Sequence, residues 1–144
     1  MRRVSRRSRD PLLRDLVAAL DPERVQVGDV ARRLYSRDAS VLRGGRAGVI
    51  CFPLTTAEVS ACVVAAVSHG RDFVARGAGT GLAGGAVPCD DPVMIVLTRM
   101  DRILEVDESR RLAWVEPGVV NLDLSRHLGG TGLHFAPDPS SQQS

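Results

Sequence analysis

A run of glycines between two apolar segments constrains this 144-residue chain more than any other feature. The stretch Gly77-Ala78-Gly79-Thr80-Gly81-Leu82-Ala83-Gly84-Gly85-Ala86-Val87-Pro88 holds five glycines in 12 residues. Glycine weakens helix and strand interiors, because it loses more backbone freedom on ordering than any other residue. The stretch is therefore a loop, and its flanks say what it joins. Val49-Ile50-Cys51-Phe52 is a short apolar run stopped by Pro53, which reads as a buried strand. Thr55 and Glu58 have capping-box spacing. The helix they open carries Val59, Cys62, Val63, Ala66 and Val67 on one face and stops at Gly70. Phe73–Arg76 is the next strand, so the unit is strand–helix–strand, expected to be parallel and right-handed. Beyond the loop, Val93–Leu97 reads as a further buried strand.

A glycine-rich loop after a strand can turn several backbone N–H groups toward one point, and such an array binds phosphate. Arg76, at the strand's end, would add a charge-assisted partner. A Walker-type phosphate loop is excluded, because all 19 basic residues are Arg and its lysine is missing. A Schiff-base lysine is excluded with it. Gly79, Gly81 and Gly84 match GxGxxG, but a dinucleotide fold needs a helix opening at that loop. Gly85, Pro88 and Asp90-Asp91-Pro92 leave no room for one before Val93. A loop that binds pyrophosphate through backbone donors alone fits better. The alternative is a structural loop without a ligand.

The rest of the chain is plainer. Asp10 caps a helix with Pro11 at its first position. Leu12, Leu13, Leu16, Val17 and Leu20 have helical spacing, and Asp21-Pro22 ends the run. A short helix is expected near 29–35 and a flexible loop over 43–48. Ile103–Asp107 and Leu112–Glu116 pair as a hairpin around Glu108-Ser109-Arg110. Pro117-Gly118 turns the chain, and Asn121 caps a helix over Leu122–Leu128 that ends at Gly129-Gly130. Pro137-Asp138-Pro139-Ser140-Ser141 is a stiffened loop with an acid and two hydroxyls, either a terminal turn or a second wall of the glycine-loop site. These elements divide the chain into a basic disordered arm (1–10), an N-terminal helical segment (11–48) and a domain over 49–144.

Composition narrows the function classes. Five of the 19 arginines fall within the first nine residues, and the remainder carries 14 against 17 acids. The basic balance thus belongs to the arm, read as solvated rather than bound to nucleic acid. Aromatics are 3%, too few for a base-stacking platform. Three cysteines without a CxxC disfavour a disulfide framework or zinc site and suit a reducing compartment. Cys62 is expected in the core. His69, His127 and His134 have no ligand spacing and are expected at the surface or at helix ends. Nothing approaches the length of a membrane span.

Taken in order, Tyr35…Asp38-Ala39-Ser40, Phe52-Pro53-Leu54-Thr55-Thr56-Ala57-Glu58-Val59, Arg76 through Pro88, Glu116-Pro117-Gly118-Val119 and Phe135 through Ser141 resemble FAD-linked oxidases. The likeness is to the vanillyl-alcohol-oxidase and p-cresol-methylhydroxylase (PCMH) type, nearest the glycolate oxidase FAD-binding subunit and the D-lactate and D-2-hydroxyglutarate dehydrogenases. It implies an α+β, PCMH-type FAD-binding domain, with the first, βαβ-containing subdomain and the start of the second. It assigns Arg76, Gly77, Ala78, Gly79, Thr80, Gly81 and Leu82 to the FAD pyrophosphate, continued by Gly84 and Gly85. Pro53, Leu54 and Thr55 would lie near the nucleotide portion, and Pro137, Asp138 and Ser141 would approach from the later loop. Some relatives bond a histidine covalently to flavin where this chain has Thr80, so noncovalent FAD is implied. The implied reaction is hydride transfer from a 2-hydroxy acid to flavin, with a quinone, iron–sulfur centre, cytochrome or oxygen as acceptor. The implied location is cytoplasmic, with peripheral membrane attachment left open. Such relatives continue past the Pro137–Ser141 segment into a second domain that holds the catalytic groups. The chain is therefore expected to be a truncated N-terminal part, with no catalytic residue and no metal ligand of its own. An inert cofactor-binding remnant is the alternative.

Overall fold

The computed structural model describes residues 9–137 and 139–144, and the chain divides after Arg99 into two compact units. The arm expected over 1–10 lies outside the described residues for 1–8.

In the first unit the Asp10 carboxylate accepts the Leu12 N–H at 3.0 Å and Pro11 sits at the first helical position, which starts α1 (Pro11–Ala19). A 3₁₀ turn (Pro22–Arg24) leads into β1 (Val25–Gln26), then α2 (Asp29–Leu34) and β2 (Val49–Cys51). Next come α3 (Thr56–Ser68), β3 (Phe73–Arg76) and β4 (Val93–Val96). The four strands form one sheet in the order β1-β2-β4-β3. β1 runs antiparallel to β2, with Val25 opposite Cys51. β4 runs parallel to both neighbours, with Met94 between Ile50 and Val74.

Side chains alternate across a strand, so a sheet covered on both faces needs apolar residues at every position. β2 and β4 meet that requirement. Val49, Cys51, Val93 and Ile95 face α1 and α3, where Leu12, Leu16, Cys62 and Ala66 close the layer. Ile50, Met94 and Val96 face the other way, against Ala31, Ala47 and Phe52. Cys62 is fully buried, as expected.

β2 and β3 are parallel, as expected, and β4 inserts between them, an order the sequence left open. Three details differ from the sequence expectation. The segment expected to be helical also supplies β1. Val67 is exposed and Ala65 is buried, because the α3 stripe through Cys62 and Ala66 turns Val67 outward. The 43–48 loop is pinned: a Cβ on Gly44, Gly45 or Gly48 would come within 2.6 Å of backbone oxygens from Pro88, Cys89 or Asp91.

The second unit is a two-stranded antiparallel hairpin, β5 (Ile103–Asp107) and β6 (Leu112–Val115), followed by α4 (Asn121–His127). Asp107 closes the turn by accepting from the Ser109 hydroxyl (2.6 Å) and the Arg110 N–H (2.9 Å). Arg111 takes φ +56° to complete it. At the open end Arg102 donates its backbone N–H and guanidinium to Glu116 (2.9 and 2.7 Å). Asn121 is the first helical residue and not the cap. Its side-chain amide instead donates to the Pro137 carbonyl at 2.7 Å, and Val120 occupies the cap position without a side-chain bond. Among the described residues no helix is long and apolar enough to cross a membrane.

Candidate functional site

The glycine loop leaves the C-terminal end of β3, where ligands sit in open parallel sheets. Two backbone bonds tie it to the preceding segments. The Ala39 N–H donates to Gly79 O at 2.9 Å, and the Gly45 N–H donates to Pro88 O at 2.9 Å. Between these anchors its internal backbone bond runs from Val87 N–H to Gly84 O.

Arg76 turns inward. Its residue exposure is 7%, and its guanidinium lies 5.1 Å from the Tyr35 ring centroid. Nη1 donates to the carbonyls of Tyr35 (3.2 Å) and Arg37 (2.9 Å), Nη2 to Ala78 O (3.2 Å) and Nε to Gly77 O (3.4 Å). Burial pulls its pKa below the ordinary arginine value, while Tyr35 and Asp38 act in the opposite sense. Asp38 is held below the usual carboxylate range, first by the Ser40 hydroxyl and then by backbone N–H groups of Ser40 and Ala86.

The loop glycines fall into two kinds. Gly79 (φ +84°) and Gly84 (φ +77°) occupy the left-handed region, where a Cβ is costly. A Cβ on Gly79 would collide with Arg76 Nη2, and one on Gly84 would come 2.4 Å from the Leu42 side chain. Gly77, Gly81 and Gly85 have no positive φ and nothing within 4 Å of a built Cβ. Among the described residues, no amide from Gly77 to Gly85 donates a hydrogen bond. Leu82, at the tip, is 78% exposed.

At the start of α3, Thr55 Oγ1 accepts the Glu58 N–H at 3.2 Å, the expected cap. The Glu58 carboxylate reaches back to the Leu54 N–H at 2.7 Å and meets the Arg24 guanidinium, whose Nη2 lies 2.8 Å from Oε1. The Arg24 hydrogen bond is the main cause of the lowered Glu58 pKa. Pro53 is fully buried, whereas Leu54 and Thr55 are exposed.

In the second unit, Pro137 is exposed and its carbonyl is taken by Asn121. Residues 139–144 form turns, and Gln142 O accepts the Leu122 N–H at 2.9 Å. Ser141 is half-buried, and Asp138 lies outside the described residues. His69 pairs with Asp15 at 2.7 Å, and His127 ends α4, both helix-end positions.

The glycine loop fits a pyrophosphate. Successive amides stand free to donate, and three glycines keep space clear where a side chain would fill it. The sequence reading missed that the Tyr35–Asp38 segment underlies this loop. The available signal was Tyr35…Asp38 itself, which carried the family likeness without a role.

Known proteins are similar to this chain in sequence and in fold. Residues 47–144 match the family described as FAD binding domain. A glycolate oxidase subunit from Bacillus subtilis is 34% identical over 128 residues, covering 89% of this chain and 27% of that protein. A probable mitochondrial D-lactate dehydrogenase from Danio rerio is 34% identical over 122 residues, covering 85% of this chain and 24% of that protein. Among solved structures, an alkyldihydroxyacetonephosphate synthase shares the fold with a TM-score of 0.81 at 22% identity, over 93% of this chain and 27% of that one. The chain spans about a quarter of the length of the curated relatives it matches.

Proposed function

We propose, starting from the fact that this chain belongs to the FAD binding domain family, that the loop from Arg76 to Gly85 holds the pyrophosphate of a noncovalent FAD in an oxidoreductase acting on 2-hydroxy acids. The run of undonated amides from Gly77 to Gly85 carries this reading. Gly77, Ala78, Gly79, Thr80, Gly81, Gly84 and Gly85 supply N–H donors, and the open sides of Gly77, Gly81 and Gly85 admit close approach. Leu82 covers the loop tip, and Leu54 and Thr55 are assigned to the nucleotide portion on the resemblance, with Pro53 as the buried support behind them. Pro137, Asp138 and Ser141 are assigned as later contacts on the same basis. Thr80 has no ring nitrogen to bond flavin, so the cofactor is held reversibly.

When bound, FAD supplies the hydride acceptor. This chain's residues bind and orient it. The relatives named for glycolate and D-lactate support a short 2-hydroxy acid as substrate. A quinone or an iron–sulfur partner is the proposed electron acceptor, and the three free thiols suit a reducing compartment. One observation favours a second reading, cofactor binding without turnover by these residues alone. His69 is the one histidine among the described residues of the first unit, and its Nε2 is paired with Asp15 at the end of α3.

The test is the visible absorbance of the purified, gel-filtered chain before and after FAD is added. Flavin bands that co-elute with a monodisperse peak, and are lost in Gly81→Val, support the cradle. A colourless peak after FAD addition contradicts it. Anaerobic bleaching of the flavin by glycolate or D-lactate, in the protein that carries this chain, tests the substrate class.

A further inference from the structure

We infer that Arg76 is a positioning residue and not a phosphate ligand: its guanidinium holds the carbonyl side of the glycine loop inward and so turns the amide side out. This deepens the cradle reading and rests on it. In a trans peptide the C=O and the following N–H point in opposite directions, and no described peptide bond is cis. Arg76 accordingly fixes more than the oxygens it touches. Its Nε and Nη2 take Gly77 O and Ala78 O, and the Ala39 N–H takes Gly79 O. Three successive carbonyls are thus drawn to one side, and the N–H groups of Ala78, Gly79 and Thr80 face the other.

The remaining contacts explain why arginine does this. Four of its five donors are used, two on the loop and two on Tyr35 O and Arg37 O. The planar fork therefore bridges the loop to the segment beneath it, and the Tyr35 ring supports its face. Gly79 completes the device. The guanidinium occupies the space a Cβ would need, so Gly79 is a glycine for Arg76 and for its own φ of +84°. Gly77, Gly81 and Gly85 have no such internal reason. They are the glycines left open for the ligand.

A brace and a phosphate ligand respond differently to lysine. Lysine keeps the charge but cannot hold four carbonyls in one plane. The experiment is an FAD titration, read by flavin fluorescence at several salt concentrations, on wild type, Arg76→Lys and Arg76→Met. The brace is expected to make both variants bind about tenfold or more weakly, with the same salt dependence as wild type. Rescue by Arg76→Lys to near wild-type affinity would overturn it. So would a salt dependence that falls in Arg76→Met alone.

Amide hydrogen exchange without ligand separates this inference from the cradle reading. The Ala39 N–H is expected to be protected in wild type and to exchange at least tenfold faster in Arg76→Met, while the β4 amides stay protected. Where Arg76→Met unfolds β4, Arg76→Lys is read instead. Unchanged Ala39 exchange overturns the brace whether or not FAD binds. Failure of wild type to bind FAD, with Ala39 responding as expected, overturns the cradle and leaves the brace standing.

Discussion

The two compact units are built from the same kinds of element and differ in what covers them. In the first, β2 and β4 are buried on both faces, and Ile50, Met94 and Cys51 reach complete burial. In the second, every residue of β6 is exposed, with Trp114 at 48% and Leu104 on β5 at 57%. A groove of about 760 Å³ runs along the hairpin past Val115, Leu124, Leu128 and Phe135. The first unit owes its shape to side-chain burial. The second owes its shape to polar clamps, Asp107 at the turn and Glu116 at the open end. Apolar content alone does not make a core. A sheet must also have something to lie against on each face.

The sharpest way to break this contrast is to truncate one apolar residue in each unit. Met94→Ala is expected to cost about 3 kcal/mol in urea unfolding, because it empties the centre of a closed layer. Trp114→Ala is expected to cost less than about 1 kcal/mol. Equal losses would mean that the hairpin face is covered after all. Acrylamide quenching of Trp114, the chain's single tryptophan, gives an independent reading of the same point, and efficient quenching is expected.

The next effect concerns the polar clamps. Arg24→Met leaves the Glu58 carboxylate, itself 21% exposed, without its bidentate partner. A loss of about 2 kcal/mol is expected in the same unfolding assay. Arg102 is largely exposed, so Arg102→Met is expected to be milder. Both glutamates are held below their ordinary value, in each case chiefly by the arginine's hydrogen bond. A depressed carboxyl contributes stability that is present above its unfolded pKa, about 4.3, and is lost as pH falls through the lower folded value. NMR titration of the two carboxyls is expected to give folded midpoints below the unfolded one. A midpoint at or above it would remove that clamp from the account.

The most specific effect is on the glycine loop itself. Gly79→Ala is expected to lower stability by at least about 1–2 kcal/mol, because its positive φ is strained with a Cβ and that Cβ would also displace the Arg76 guanidinium. Gly81→Ala, with open space and no positive φ, is expected to leave the melting temperature nearly unchanged while weakening FAD binding. Loss of stability at both positions would erase the distinction between the two kinds of glycine.

The parts of this fold that were legible in the sequence depend on neighbours a few residues away. Asp10 with Pro11, and Thr55 with Glu58, announced two helix starts, because a cap is a local bond. The apolar runs at Val49 and Val93 announced buried strands. What was not legible depends on partners far along the chain. The insertion of β4 between β2 and β3 is a choice among strand orders that local spacing leaves open. Asn121 had the right type for a cap, but the Pro137 carbonyl claimed its side chain. Arg76 had the right place for a phosphate contact, but carbonyls about 40 residues earlier claimed its guanidinium. In both cases the residue type was legible and the distant carbonyls it bonds were not.

The most direct test of the cradle is to follow backbone amide resonances of the isotopically labelled chain as FAD is added. The largest shifts are expected at Ala78, Gly79, Thr80 and Gly81, with little change at the hairpin turn around Ser109. FAD binding that leaves those four amides unmoved would contradict it.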